Sequence, residues 1–419
     1  MKALLIINLC IGVIFFLCYG YQLFYLILAY LKGIKKYPDA PPARIAVLTS
    51  ARNEESVIRN LIDSILGQDY PKERFDMFVV ADNCTDKTAA VAKEAGATVY
   101  ERFNTEERGK GYALHYLIKK IEADYGPEYY DAYIVFDADN TAEPTYLSEM
   151  NRAFSAGYDV VTSYRNASNY DANWRSAGQG MYFLRDARVL NLARTYLGCN
   201  NYVTGTGFLF SSALCRRYGG WPFHTLTEDG EFTMHNEINR VKCAYCHDAI
   251  FYDEQAVDFK TSWNQQRRWC GGGLQIFRIY LSRLIKAVFS KRFLSAFDTI
   301  SSLASAYFIS TLAVVINVVA SVILLALGTP PLDLLSVIIP GVLFAYFALT
   351  LFSTAITISD WHRIRGSAAK KIFYIFTFPL FLFSFIPPAL VTLVKPAQWK
   401  TIQHGKSQNE HEKNKSEIK

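Results

Sequence analysis

Apolar residues follow two patterns along this chain. Near its ends lie long unbroken apolar runs, at 4–31, 302–327, 334–358 and 372–394. A helix needs about 20 apolar residues to cross a bilayer, and each run is long enough. A signal peptide is the alternative for the first run, but that run exceeds the roughly 7–15-residue core of such a peptide and lacks its small-residue cleavage site. In the interior, short apolar runs alternate with amphipathic stretches. IAVLTS (45–50), MFVVAD (77–82), ATVYER (97–102) and YIVFDAD (133–139) predict strands. Residues 54–66, 87–94, 111–123 and 146–154 predict helices; Val57, Ile58, Leu61, Ile62 and Ile65, for example, share one face. Repeated strand–helix units with fully apolar strands imply an α/β fold, a doubly wound and mostly parallel sheet covered on both faces.

The stretch LQIFRIYLSRLIKAVFSKRFLSAF (274–297) mixes apolar residues with Arg278, Arg283, Lys286, Lys291 and Arg292. So many charges predict an amphipathic helix lying in the membrane interface rather than crossing it; a surface helix packed on the core is the alternative. The 419 residues thus divide into an N-terminal transmembrane helix (1–31), a central domain (32–273), an interface helix region (274–300), membrane segments (301–395) and a charged tail (396–419). Lys32, Lys35 and Lys36 follow the first apolar run, and Arg363, Arg365, Lys370 and Lys371 precede the last. Positive residues mark the cytoplasmic side, so a multi-pass protein of the cell membrane with a cytoplasmic central domain is expected. Three full crossings would leave the lysine-rich tail outside. Pro379, Pro387 and Pro388 interrupt the last run, and a bent or re-entrant segment there would resolve the conflict.

Eight cysteines show no disulfide framework, as a reducing compartment would have it. Cys243-Ala-Tyr-Cys246-His247 has haem-attachment spacing, but it sits in a stretch that reads as a strand. The sequons at Asn83 and Asn166 carry no meaning on a cytoplasmic domain.

Two predicted strands end in carboxylates, Asp82 on one and Asp137 with Asp139 on the other. In doubly wound sheets ligands bind beyond the carboxyl ends of the strands, so these acids would line one crevice. No Gly-x-Gly-x-x-Gly or Walker loop follows the first strand, which removes dinucleotide and P-loop readings. Nothing points to a nucleic-acid partner. Asp137-Ala138-Asp139 could converge on a hard cation, Mg²⁺ or Mn²⁺, which takes oxygen ligands and leaves positions for phosphate and water; a solvated turn is the alternative. Thr227-Glu228-Asp229 precedes a helical stretch and could serve simply as its cap. Gln265-Gln266-Arg267-Arg268-Trp269 offers cations and amides for a diphosphate beside an indole that can stack on a sugar, or else a membrane-interface anchor. Arg108-Gly-Lys110-Gly puts a cation on a flexible loop.

An acid after strand two, Asp-x-Asp after strand four, Thr-Glu-Asp and Gln-x-x-Arg-Trp, in that order, resemble the membrane-bound family 2 glycosyltransferases. That group includes cellulose, chitin-oligosaccharide and hyaluronan synthases and ceramide glucosyltransferases. The likeness covers about residues 44–275. Ser50-Ala51-Arg52-Asn53-Glu54-Glu55 resembles the family's first-strand motif, and Gly205-Thr206-Gly207-Phe208 its acceptor-side turn. Trp399 with Lys400-Thr401 resembles a further interfacial element. The resemblance implies a GT-A-like fold and a metal-dependent, inverting hexosyltransferase. Glu54 and Asp82 would contact the nucleoside of a UDP-sugar, UDP-glucose or UDP-N-acetylglucosamine. Asp137 and Asp139 would hold the metal and the donor diphosphate, with Lys110 assisting. Asp229 would be the general base, and Gln265, Arg268 and Trp269 would hold diphosphate and acceptor. The favoured acceptor is a saccharide, in polysaccharide or oligosaccharide synthesis. Single transfer to a membrane lipid is the alternative, and an inactive membrane scaffold the remote one.

Overall fold

The computed structural model describes residues 2–303 and 306–397; Trp399 and the charged tail from residue 398 onward lie outside the described residues. At its centre is one eight-stranded sheet. Its strands are β1 (Ile45–Ala51), β2 (Phe75–Asp82), β3 (Thr98–Arg102), β4 (Ala132–Asp137), β5 (Thr141–Ala142), β6 (Val160–Ala167), β7 (Phe208–Ser211) and β8 (Cys243–Asp253). Their spatial order is β3-β2-β1-β4-β7-β6-β8-β5. Strands β3, β2, β1 and β4 are parallel, as are β6 and β8. Strand β7 runs against both β4 and β6, and β5 against β8, so the sheet is mixed. The fold is GT-A-like, as expected.

Alternation along β1 explains why its run carries no polar position before Thr49. Ile45 and Val47 pack on one face with Leu61, Ile62 and Ile65 of the helix Ile58–Leu66. Ala46 and Leu48 point the other way, onto Leu114, Leu117 and Ile118 of the helix Lys110–Tyr125. Both faces are covered, so residues 45–49 of β1 are all buried. Each large aliphatic residue buried there contributes about 1.5–3 kcal/mol. Strand β8 behaves as a strand through its cysteines: Cys243, Cys246 and His247 are buried, and His247 Nδ1 meets the Tyr245 hydroxyl at 2.9 Å.

The amphipathic stretch expected at 274–297 is not a separate helix. Residues 274–288 are the second half of a 30-residue helix, Phe259–Val288, which also carries Gln265, Arg268 and Trp269, and the end of the stretch opens a shorter helix, Phe293–Leu303. Gly271 and Gly272 lie inside the long helix and serve close packing. A Cβ at Gly272 would sit 2.1 Å from Thr227 Oγ1, and one at Gly271 2.7 Å from Cβ of Ala397.

Among the described residues, four helical spans are long and apolar enough to cross a membrane, by length and composition: Lys2–Lys32, Ala306–Ala326, Pro331–Ser359 and Ala368–Val394. The last is broken. Its first helix stops at Phe383 and a second starts at Ile386, with Pro387 and Pro388 in the new first turn, where their missing N–H groups cost nothing. A buried node ties the first span to the central domain. Arg194 grips Asp298 through Nε and Nη2, both at 2.7 Å, and the hydroxyls of Tyr21 and Tyr25 donate to the same carboxylate.

Candidate active site

Parallel register sets the acids side by side. Ser50 at the end of β1 is paired with Asp137 on β4, and Ala51 with Ala81 on β2, so Asp82 and Asp137 end the two strands that flank β1. Asp82 pairs in register with Arg102 on β3, and their side chains form a buried ion pair at 2.7 Å. Asp137 is held differently. The Lys110 ammonium, at the start of the helix Lys110–Tyr125, bonds to its carboxylate and donates to the Gly205 carbonyl at 2.7 Å. Asn140 then organises the turn. Its Oδ1 accepts from the Asp137 backbone N–H at 3.2 Å, and its Nδ2 donates to Asp139 at 3.2 Å and to Asp253 at 3.0 Å.

Thr227 precedes a helix that begins at Glu228, and its side chain makes no cap bond. The motif therefore presents carboxylates rather than closing a helix end. Burial pushes the Glu228 carboxyl up to about 7, the neighbouring Asp229 charge adds to this, and Lys110 and Arg268 oppose it. Asp229 is raised as well, again by burial first, against the Gly230 N–H, Arg268 and Lys110. Burial alone would lower Lys110, but the charges of Asp137, Glu228 and Asp229 outweigh it and the ammonium is held firmly protonated. The Gly205-Thr206-Gly207 turn closes on this pair: a Cβ at Gly205 would lie 3.4 Å from Asp229 Oδ2.

From the long helix, Arg268 Nη1 donates to the Leu226 carbonyl at 3.1 Å, beside Thr227. Gln265 accepts from Gln179 at 3.4 Å. Trp269 lies nearly parallel to Tyr182 and Phe385, at centroid distances of 6.5 and 6.0 Å, and edge-on to Phe183. All of the residues singled out from the sequence, namely Glu54, Asp82, Lys110, Asp137, Asp139, Asp229, Gln265, Arg268 and Trp269, line one cavity of about 1220 Å³.

The same wall holds groups that no sequence motif flagged. Asp253, at the end of β8, is buried and bonded to Arg165 Nε at 2.8 Å and to Gln255 at 2.7 Å. Burial lifts its carboxyl to about 6; Arg165 pulls it down, and Asp139 and Asp137 push it up again. Arg165 belongs to β6 and Asp253 to β8, so only the pairing of the two strands reveals the contact. Glu228 stood inside a recognised motif, but its burial was not readable there.

Among the described residues, no group of three or more His, Cys, Asp or Glu is arranged to hold a metal ion. The fit of a divalent cation rests on Asp137 and Asp139 alone. Two observations favour that fit. Asp137 already draws a cation, Lys110, and the clustered charge of Asp137 and Asp139 disfavours ionisation of Asp253. Their hard oxygens suit Mg²⁺ or Mn²⁺, which leave positions for ligand oxygens and water.

Comparison with known proteins agrees with this arrangement. Residues 41–272 match the family described as glycosyltransferase like family 2. A β-monoglucosyldiacylglycerol synthase of Synechocystis sp. is 25% identical over 247 residues, 57% of this chain and 50% of that protein. The probable glycosyltransferase YdaM of Bacillus subtilis is 24% identical over 265 residues, 58% of each. The chain thus spans about half the length of the curated relatives it matches. Among solved structures, the mannosyltransferase PcManGT of Pyrobaculum calidifontis, in complex with GDP-Man and Mn²⁺, shares the fold. It matches at a TM-score of 0.60 and 16% identity over 94% of this chain and 100% of that one. With more than half of its length matched by the family, this chain belongs to glycosyltransferase family 2.

Proposed function

We propose that the chain transfers a single sugar from a nucleotide sugar to the hydroxyl of a membrane lipid, with inversion. The observation that carries this reading is the continuity of the cavity. It joins Asp82, Asp137 and Asp229 to apolar residues of all four candidate membrane spans, among them Phe15, Val314, Val342 and Leu382. A hydroxyl at Asp229 would thereby belong to a lipid whose chain lies against the apolar part of the same cavity. The Synechocystis relative, by its name, makes a glucosylated diacylglycerol, which favours the lipid over the saccharide acceptor.

In this reading Glu54 and Asp82 face the nucleoside, and Lys110, Gln265 and Arg268 face the diphosphate. Asp137 and Asp139 would hold Mg²⁺ or Mn²⁺, which would help neutralise charge on the departing diphosphate. Asp229 takes the acceptor's hydroxyl proton as the oxygen attacks the anomeric carbon; the bond from that carbon to the diphosphate oxygen breaks on the opposite face. A single displacement turns an α-linked donor into a β-linked product. Burial keeps Asp229 a stronger base than an ordinary carboxylate.

The central domain would face the cytoplasm. Lys36 and Arg363, which follow the first and third spans, both pair with Asp248 of the central domain, so those two span ends lie on the domain's side. Repeated transfer to a saccharide is the second reading, and Trp269 on the cavity wall favours it. The parallel neighbours of Trp269, however, are Tyr182 and Phe385.

A panel of labelled nucleotide sugars, UDP-glucose, UDP-N-acetylglucosamine and GDP-mannose among them, offered to membranes holding the full chain tests the proposal. One sugar on a solvent-extractable lipid supports it; labelled polymer overturns it in favour of the second reading.

A further inference from the structure

The apolar arm of the cavity has a floor. Along the first span the cavity wall begins at Asn8, and along Ala306–Ala326 it ends at Asn317. These two amides bond to each other in both directions: Asn8 Nδ2 donates to Asn317 Oδ1 at 2.9 Å, and Asn317 Nδ2 to Asn8 Oδ1 at 3.0 Å. Each amide spends its other proton on its own helix, Asn8 on the Leu4 carbonyl and Asn317 on that of Ala313. The clasp is therefore complete, and it offers no spare donor to anything reaching it from above.

The upper limit of this arm is polar. Tyr21, Tyr25 and Arg194 meet at Asp298, and Arg185 pairs with Asp186 at 2.7 Å on the cavity wall. Both cations are matched by a carboxylate, so this level suits a neutral headgroup. From Tyr19 down to Asn8, and from Ala306 down to Asn317, the helices descend about 16 Å at about 1.5 Å per residue. That is close to half of the roughly 30 Å hydrocarbon layer, the depth of one leaflet.

We infer that Asn8 and Asn317 form the base of an acyl-chain pocket and set the length of chain that the acceptor lipid carries. The inference rests on the lipid-acceptor reading. Surrounding lipid is as apolar as the pocket, so the pocket gains little by holding a chain and discriminates by shape instead. A chain longer than the arm is stopped by the bulk of the two mutually bonded amides; a shorter one leaves the arm underfilled. A glycan strand is a poor occupant, because its hydroxyls would lack partners along this wall.

Two kinds of variant act on the pocket in opposite directions. Asn8→Ala with Asn317→Ala removes the floor. Gly12→Leu and Gly341→Leu fill the arm from its sides: both glycines line the cavity, and an added Cβ meets nothing within 4 Å at either. The full chain, reconstituted in vesicles, is given its labelled donor and neutral diacylglycerols of graded chain length, and kcat/KM is read for each. The floor-less variant is expected to shift its optimum to longer chains and the filled variants to shorter ones. Each shift should change the long-to-short ratio about tenfold or more. An amide pair that only holds two helices together would lower rates on all chains alike. Unchanged chain-length profiles with lipid still glycosylated would overturn the inference and leave the lipid reading standing. Absence of any lipid product, with sugar transferred to saccharide, would overturn the reading beneath it.

Discussion

Asp82 and Arg102 are register partners on adjacent strands, joined at 2.7 Å with only about 5% of either side chain exposed. Arg102 thereby fixes the carboxylate proposed to meet the nucleoside. Arg102→Leu strands a buried charge and should cost about 3–5 kcal/mol, read as a lower melting temperature. Adding Asp82→Asn removes that charge and should restore much of the stability, while donor KM stays high. Stability lost equally in single and double variants would refute the pair's role.

The raised Glu228 carboxyl gives a signed pH dependence. Its ordinary value is 4.5 and its folded value is about 7. Ionised Glu228 is thus disfavoured by the fold. The burden is absent below about pH 4.5, grows through the interval and is complete above about 7. Glu228→Gln should therefore stabilise the protein at alkaline pH and leave it unchanged near pH 4. Charge coupling is mutual, so the same variant should ease ionisation of Asp229 and move the acid limb of the kcat/KM profile to lower pH. An unmoved acid limb would separate Glu228 from the base.

Asp229→Asn removes the proposed base and should lower kcat by about 10²–10⁴-fold with donor affinity retained. Donor binding measured by calorimetry alongside turnover distinguishes the outcomes. Equal loss of binding and turnover would assign Asp229 to the donor instead.

Lys110 sits where cation and diphosphate would meet. A charge-assisted hydrogen bond is worth about 1.5–3 kcal/mol. Lys110→Met should accordingly raise donor KM about 10–100-fold at saturating Mn²⁺. Chelator should abolish turnover of the unaltered protein and added Mn²⁺ or Mg²⁺ restore it. Activity that persists in chelator would dismiss Asp137 and Asp139 as cation ligands.

Half of this site could be seen in the sequence, for a physical reason. Strands β1, β2 and β4 are buried on both faces, so their apolar runs stop only where the chain meets the crevice, and Asp82 and Asp137 mark the stops. Asp253 carries no such mark. It ends a strand that pairs with β6, and its partner Arg165 is 88 residues away. The mixed character of the sheet was equally hidden: β7 is only FLFS, too short to show a period. The long helix escaped because Gly271, Gly272 and Gly273 look like a break, while the role of the first two is set by Ala397 and Thr227 across the contact. Asn8 and Asn317 read as isolated polar residues until two spans 309 positions apart come together.

Gly205 and Gly207 frame the same turn but should fail differently when substituted. Both have positive φ, +86° and +62°, where an added Cβ is strained by about 1–3 kcal/mol. At Gly207 the Cβ would also lie 2.1 Å from Cε1 of Phe251, a fully buried ring of β8. Gly207→Ala should therefore separate β7 from its neighbours and lower the melting temperature sharply. At Gly205 the nearest atom is Asp229 Oδ2, at 3.4 Å, and there is no ring to displace. Gly205→Ala should leave a folded protein whose base is crowded and misaligned, so kcat falls while donor KM holds. Melting curves and steady-state kinetics on the two variants test the contrast. If Gly205→Ala turned over at the normal rate, the turn would have no part in placing Asp229.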